Sequence, residues 1–239
     1  MLNQCIIVAL ELAEAGALFR LVEDLNPQAC RLKVGKALFT RYGPSLVQQL
    51  QTRGFDVFLD LKFHDIPQTV AQAVTAAADL GVWMISLHAS GGPKMLEAAV
   101  TALNSFKAKA PQLVGVTLLT SLHEDDLPLL GITGPASQQV ERLAVLAQHC
   151  GLEGVVCSAQ EARQLRSLCG NSFTLVTPGI RPAGTAAHDQ QRLMAPGPAI
   201  AAGADYLVIG RPITQAVDPA AALREIQQAL MDQISRTPH

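Results

Sequence analysis

Eight short apolar runs rich in β-branched residues recur along the 239 residues of this chain, separated by longer Ala/Leu/Gln/Glu-rich stretches with helical spacing. The runs are Cys5–Leu10, Arg31–Gly35, Phe55–Asp60, Val82–His88, Leu113–Leu119, Gly154–Ser158, Thr174–Pro178 and Tyr206–Gly210. Each is almost continuously apolar instead of alternating, as a strand buried on both faces of a parallel sheet must be. Between them Pro44–Arg53, Thr69–Leu80, Pro93–Ala102, Ser137–Cys150, Ala159–Leu168 and Pro219–Met231 read as helices. Gly54, Gly81, Gly151 and Gly203 fall where a helix hands over to the next strand, a position that favours a left-handed cap. Strict strand–helix alternation predicts an α/β fold. Eight units in this length predict one (β/α)8 barrel (TIM barrel) domain over residues 1–239 in preference to an open, doubly wound sheet.

Composition narrows the class of partner. Apolar residues make up 49% and charged residues 16%, against about 25% charged in an average soluble domain, so a large core is available and intrinsic disorder is excluded. Eighteen Lys+Arg against twenty Asp+Glu give a net charge of −2, which supplies no basic field for nucleic acid. No apolar run reaches the roughly 20 residues that span a bilayer, so no membrane partner is expected. The five cysteines are scattered without a C-x-x-C pair and the start carries no basic leader, which predicts reduced thiols and a cytoplasmic location. The sparse charge suggests a surface partly covered by another subunit. There is no G-x-G-x-x-G, Walker or G-x-S-x-G motif, so neither a nucleotide cofactor nor serine-hydrolase chemistry has support.

In a barrel of this kind, chemistry collects at the C-terminal ends of the strands. The third strand carries the strongest signal, Phe58-Leu59-Asp60-Leu61-Lys62-Phe63-His64-Asp65-Ile66-Pro67. Strand residues two apart share a face, so Asp60 and Lys62 are expected to project together toward the mouth, where Lys33 of the neighbouring strand joins them. A carboxylate between two ammonium groups keeps every member ionised in a partly dry site. A structural ion pair closing the barrel end is the other reading of Asp60 and Lys62. Asp65 is open to two roles, catalysis or the capping box that Asp65-x-x-Gln68 resembles. At the eighth strand, Gly210-Arg211 matches the phosphate site that barrels build after strands seven and eight, with a rim salt bridge as the alternative for Arg211. Arg181 reaches an anion from the strand-seven loop or stands solvated, and Gln190 carries less weight. The Pro182–Pro198 connection reads as a ligand-covering loop. His64 and His88 lack the partner spacing of a metal site and read as packing residues, while His123, His149, His188 and His239 read as exposed.

Taken together, these residues resemble the orotidine 5′-phosphate decarboxylase family in its bacterial form. The resemblance runs through Arg31-Leu32-Lys33-Val34-Gly35, Phe58 to Pro67, His88 to Gly92, Leu119-Thr120-Ser121, Gly154 to Glu161, Thr177 to Pro182 and Tyr206 to Thr214. It implies decarboxylation of orotidine 5′-monophosphate to UMP without metal or organic cofactor. It also implies a homodimer of barrels whose two sites are each completed by Asp65 and Thr69 of the other subunit. Lys33, Asp60, Lys62 and the borrowed Asp65 would form the charged network, with Lys62 the proton donor to C6 of the pyrimidine. Thr120 and Ser121 would meet the ribose side and the base, and Pro178 would line the pyrimidine. Arg181, Gln190, Gly210 and Arg211 would surround the phosphate.

Three positions depart from the family pattern. Glu11 stands at the end of strand one where Asp is usual, which puts its substrate contact in question. Ser86 replaces a common Asn near the end of strand four, and Ala195 a common Thr, both compatible with the site. Metal-dependent phosphosugar decarboxylases and aldolases of the same superfamily share Asp60-x-Lys62-x-x-Asp65, but resemblance to them implies a metal-binding carboxylate where this chain has Lys33. A noncatalytic phosphate-ligand-binding barrel is the remaining alternative.

Overall fold

The computed structural model describes residues 4–11, 14–182 and 193–236. The eight expected strands form a closed parallel barrel in chain order: β1 (Ile6–Leu10), β2 (Arg31–Gly35), β3 (Val57–Phe63), β4 (Met84–His88), β5 (Gln112–Val116), β6 (Gly154–Val156), β7 (Thr174–Thr177) and β8 (Tyr206–Ile209). The ring is sealed where β8 pairs with β1 through Leu207↔Ile6 and Ile209↔Val8.

The helices follow the strands: α1 (Ala15–Asp24), α2 (Lys36–Thr52), α3 (Pro67–Asp79), α4 (Pro93–Ala102), α5 (Ala136–His149), α6 (Ala162–Cys169), α7 (Pro196–Ala201), α8 (Arg211–Thr214) and α9 (Pro219–Arg236). Sequence periodicity locates α4 at its observed bounds but misses α1, the first half of α2, α7 and α8. The last two have 6 and 4 residues, too few to show a helical period. In α2 the helix breaks at Gly43, whose φ of 61° suits glycine, and Pro44 opens the second half. The four glycines expected as helix ends all have positive φ, from 72° at Gly81 to 109° at Gly203.

Two hydrophobic layers result. Inside the barrel, Ile7, Ala9, Phe58, Met84, Val114, Val176 and Val208 fill the lumen. Outside it, residues such as Leu32, Leu59, Ile85 and Leu207 face the helices, which return Val74, Leu96 and Leu165. The five cysteines are free thiols, four of them buried.

The N-terminal end of the barrel is stoppered. Arg31, the first residue of β2, lays its guanidinium 4.1 Å above the Trp83 ring and 5.4 Å from that of Tyr206. The two rings meet edge to face at 5.0 Å, and Arg31 Nε bonds Asp56 at 3.2 Å. This cation–π floor leaves the C-terminal end as the open one. No helix among the described residues is long and apolar enough to cross a membrane.

Candidate active site

The open end holds a pocket of about 200 Å3 whose lining draws on strands from both sides of the ring. Glu11, Lys33, Asp60, Lys62, Thr120, Pro178, Arg181, Gly210 and Arg211 all line it, with Phe58, Val116, Leu118, Val156 and Val208 among its apolar walls. Most of the polar residues expected from the sequence therefore converge on one cavity.

Asp60 is the centre of the charged group. It is 8% exposed, with Lys33 Nζ 3.2 Å from Oδ2 and Lys62 Nζ 2.8 Å from Oδ1. Burial acts to raise its pKa, but the charges of Lys33 and Lys62, with hydrogen bonds from Lys62 and Ser86, outweigh it and hold the carboxyl below its ordinary value. The register explains the approach of Lys33: β2 lies against β3 with Lys33 opposite Phe58 and Gly35 opposite Asp60.

Asp60 and Lys62 meet as expected, but not on a regular pleat. Pairing between β3 and β4 passes from Leu59↔Ile85 to Phe63↔Leu87, so three residues of β3 stand against Ser86 alone. Within this bulge Lys62 adopts φ 52°, a left-handed conformation that costs an L-residue about 1–2 kcal/mol. Side-chain alternation alone does not describe this segment.

Strand eight contributes Gly210 and Arg211. A Cβ added at Gly210 would lie 3.5 Å from Glu11 Oε1 and 3.6 Å from Ala9 Cβ, ordinary contacts with protein atoms. What the missing side chain keeps clear is the pocket. Arg181 is 8% exposed, and its Nη1 donates to the Ile180 carbonyl at 3.0 Å, so it is a buried pocket residue and not a solvated one.

The other expected residues stand apart. Ser121, next to Thr120, is exposed and outside the pocket lining, as are Asp65 and Thr69. The capping box does not form: α3 begins at Pro67, no side chain caps it, and Asp65 Oδ1 accepts the N–H of Ile66 at 2.6 Å. With the helix starting at Pro67 its N-cap is Ile66, which has no side-chain acceptor, and Asp65 lies one residue outside the cap. Gln190, with His188 and His239, lies outside the described residues. His64 and His88 pack ring to ring at 5.3 Å, and burial, then His64, Lys36 and Lys62, lower the His88 pKa to about 4.

Ser86 was noted from sequence only as a departure, yet it touches the centre of the site. Its hydroxyl donates to Asp60 Oδ1 at 2.8 Å and accepts the backbone N–H of Lys62 at 3.0 Å. The available signal was a lone hydroxyl within Met84-Ile85-Ser86-Leu87, an otherwise apolar strand.

Known proteins with this sequence pattern agree on a family. Residues 4–226 match the family model described as "Orotidine 5'-phosphate decarboxylase / HUMPS family". A protein named orotidine 5′-phosphate decarboxylase from Pectobacterium carotovorum subsp. carotovorum (strain PC1) is 60% identical over 227 residues, 95% of this chain and 92% of that one. One of the same name from Shewanella sediminis (strain HAW-EB3) is 59% identical over 228 residues, 95% of this chain and 97% of its own. The crystal structure of orotidine 5′-phosphate decarboxylase from Lactobacillus acidophilus superposes with a TM-score of 0.83 at 37% identity, covering 94% of this chain and 98% of that one. Sequence match over nearly the whole chain and a shared barrel lead to one conclusion: the chain belongs to the orotidine 5′-phosphate decarboxylase / HUMPS family.

Proposed function

We propose that this protein decarboxylates orotidine 5′-monophosphate to UMP and CO2, the last step of UMP synthesis, and that it does so without metal or organic cofactor. The observation that carries the reading is the Lys33–Asp60–Lys62 group on the pocket wall. Loss of CO2 from C6 leaves an electron pair in an orbital orthogonal to the pyrimidine π system, where the ring carbonyls do not delocalise it. A fixed ammonium does what resonance cannot: Lys62 stabilises the developing carbanion by its charge and then gives C6 a proton. Asp60 holds the Lys62 ammonium in place at 2.8 Å, and Lys33 offsets the second carboxylate that the substrate brings.

Arg211 and Arg181, with the open backbone at Gly210, make the phosphate end, and Pro178 walls the pyrimidine. Gln190 joins the phosphate end in this reading. Glu11 and Thr120 take the ribose side, with Ser121 toward the base. Lys33 Nζ, 3.2 Å from Asp60, places positive charge where the metal-dependent relatives of this superfamily need a carboxylate, which favours the decarboxylase over them.

The proposed assembly is a homodimer with shared sites. Asp65 and Thr69 stand exposed outside their own pocket, and Ile66 between them is an apolar side chain 66% exposed, as suits residues that complete a partner's site. Neither nucleic acid nor membrane enters the reading, and a cytoplasmic location accords with the free thiols. The test is to follow orotidine 5′-monophosphate by ultraviolet absorbance with and without a strong chelator. Chelator-insensitive conversion to UMP is expected. UMP binding without turnover would overturn the reading in favour of a noncatalytic barrel, and chelator-sensitive turnover in favour of a metal enzyme.

A further inference from the structure

We infer that Ser86 is the positioning residue that holds Lys62 in its left-handed conformation and ties its ammonium to Asp60. The inference rests on the decarboxylase reading above for its consequence in catalysis, but on geometry for its substance. Ser86 is completely buried and is the single β4 residue facing three residues of β3, an excess of two. At such a bulge the backbone ladder fails, and the N–H of the bulged residue loses its strand partner. The Ser86 hydroxyl takes the place of that partner, accepting from Lys62 N at 3.0 Å and donating its one proton to Asp60 Oδ1 at 2.8 Å.

The same Asp60 oxygen accepts from Lys62 Nζ at 2.8 Å. A closed circuit results, running from Asp60 Oδ1 through Ser86 Oγ to the Lys62 backbone, out along the Lys62 side chain and back to Oδ1. Lys62 is gripped at its root and at its tip, and both grips converge on one carboxylate oxygen. Without the hydroxyl, the tip grip survives alone, and the strained backbone that sets where the ammonium sits loses its buried acceptor. The Ser86 bond also lowers the Asp60 pKa alongside the two lysines, so its removal moves that pKa upward.

The experiment compares Ser86→Ala, Ser86→Cys and Ser86→Thr with the unaltered protein. Ser86→Cys keeps the volume with a much weaker donor, and Ser86→Thr keeps the hydroxyl. Expected for Ala and Cys alike is a fall in kcat of about 10–100-fold, with KM and UMP affinity within about threefold. Their acid limb of kcat/KM should move to higher pH, and Thr should recover most of the rate. The 13C titration of the Asp60 carboxyl, which needs no turnover, should show the same upward shift in the Cys variant. A Cys variant with unchanged kcat and an unmoved Asp60 titration overturns the assignment. So does a loss of kcat that follows melting temperature and UMP affinity across all three variants, since packing alone would do that. An unaltered protein that fails to convert orotidine 5′-monophosphate overturns the decarboxylase reading instead, and the Asp60 titration still decides the role of Ser86.

Discussion

In the proposed mechanism Lys62 combines charge stabilisation and proton donation in one side chain, so the two contributions are lost together. Lys62→Ala should lower kcat about ten-thousand-fold or more, as steady-state turnover of orotidine 5′-monophosphate will show. A loss under tenfold would remove it from the mechanism. Glu11 poses the opposite question, because it keeps the charge of the usual Asp on a longer arm. Glu11→Asp should raise kcat/KM by roughly 2–10-fold if the extra methylene holds a ribose contact out of register. An unchanged value would show that the pocket has adapted around Glu. At this scale the sequence was legible wherever a charge sat at a strand end: Lys33, Asp60, Lys62 and Arg211 all reach the pocket. It was silent where conformation decides. Nothing in the letters Asp60-Leu61-Lys62 announces a positive φ, and the sequence presents the hydroxyl of Ser86 as one substitution among several.

Among the elements, the strands were readable because a strand buried on both faces must be nearly all apolar, and their spacing enforced the barrel. Short elements defeated the same logic: α8, which carries Arg211, has 4 residues and no period to detect. The floor is a second case, since Arg31, Trp83 and Tyr206 come from the starts of three strands and only ring closure brings them together. Arg31→Ala should cost about 2–3 kcal/mol through lost cation–π contact and packing. In a chain of this size that is a fall in melting temperature of roughly 5–10 °C by calorimetry. Since the floor lies at the opposite end from the pocket, kcat should stay within about twofold.

The whole molecule answers to pH and to assembly. His88 is held neutral to about pH 4, against an ordinary value of 6.5. As pH falls through 6.5 the unfolded chain takes up a proton that the folded one refuses, so stability declines down to about pH 4 and this contribution then levels off. Asp60 acts in the same direction below that window, because a carboxyl held under its ordinary value of 3.8 loses its stabilising charge only as pH falls from there through its folded value. Melting temperatures measured from pH 8 to 4 should show the His88 slope, and His88→Gln should flatten it between 6.5 and 4. The proposed shared site makes a different prediction. Mixing inactive Asp65→Ala and Lys62→Ala chains should regenerate part of the activity, because one hybrid site would carry both residues intact. No recovery after verified subunit exchange would show that Asp65 does not act across an interface.

The seal between β8 and β1 has a further consequence, one of timing. Leu207 N–H bonds the carbonyl of Cys5, and Gln227 on α9 reaches Ala29 across 198 residues of chain. During synthesis the first strand therefore waits for nearly the entire polypeptide before its outer edge is covered, a long-range closure of the kind that slows folding and leaves an edge at risk meanwhile. Lys33, Asp60 and Lys62 emerge early and Arg211 near the end. A nascent chain that has made the Lys33–Asp60–Lys62 group thus still lacks Gly210 and Arg211, and the two ends of the proposed site come together only when the ring shuts.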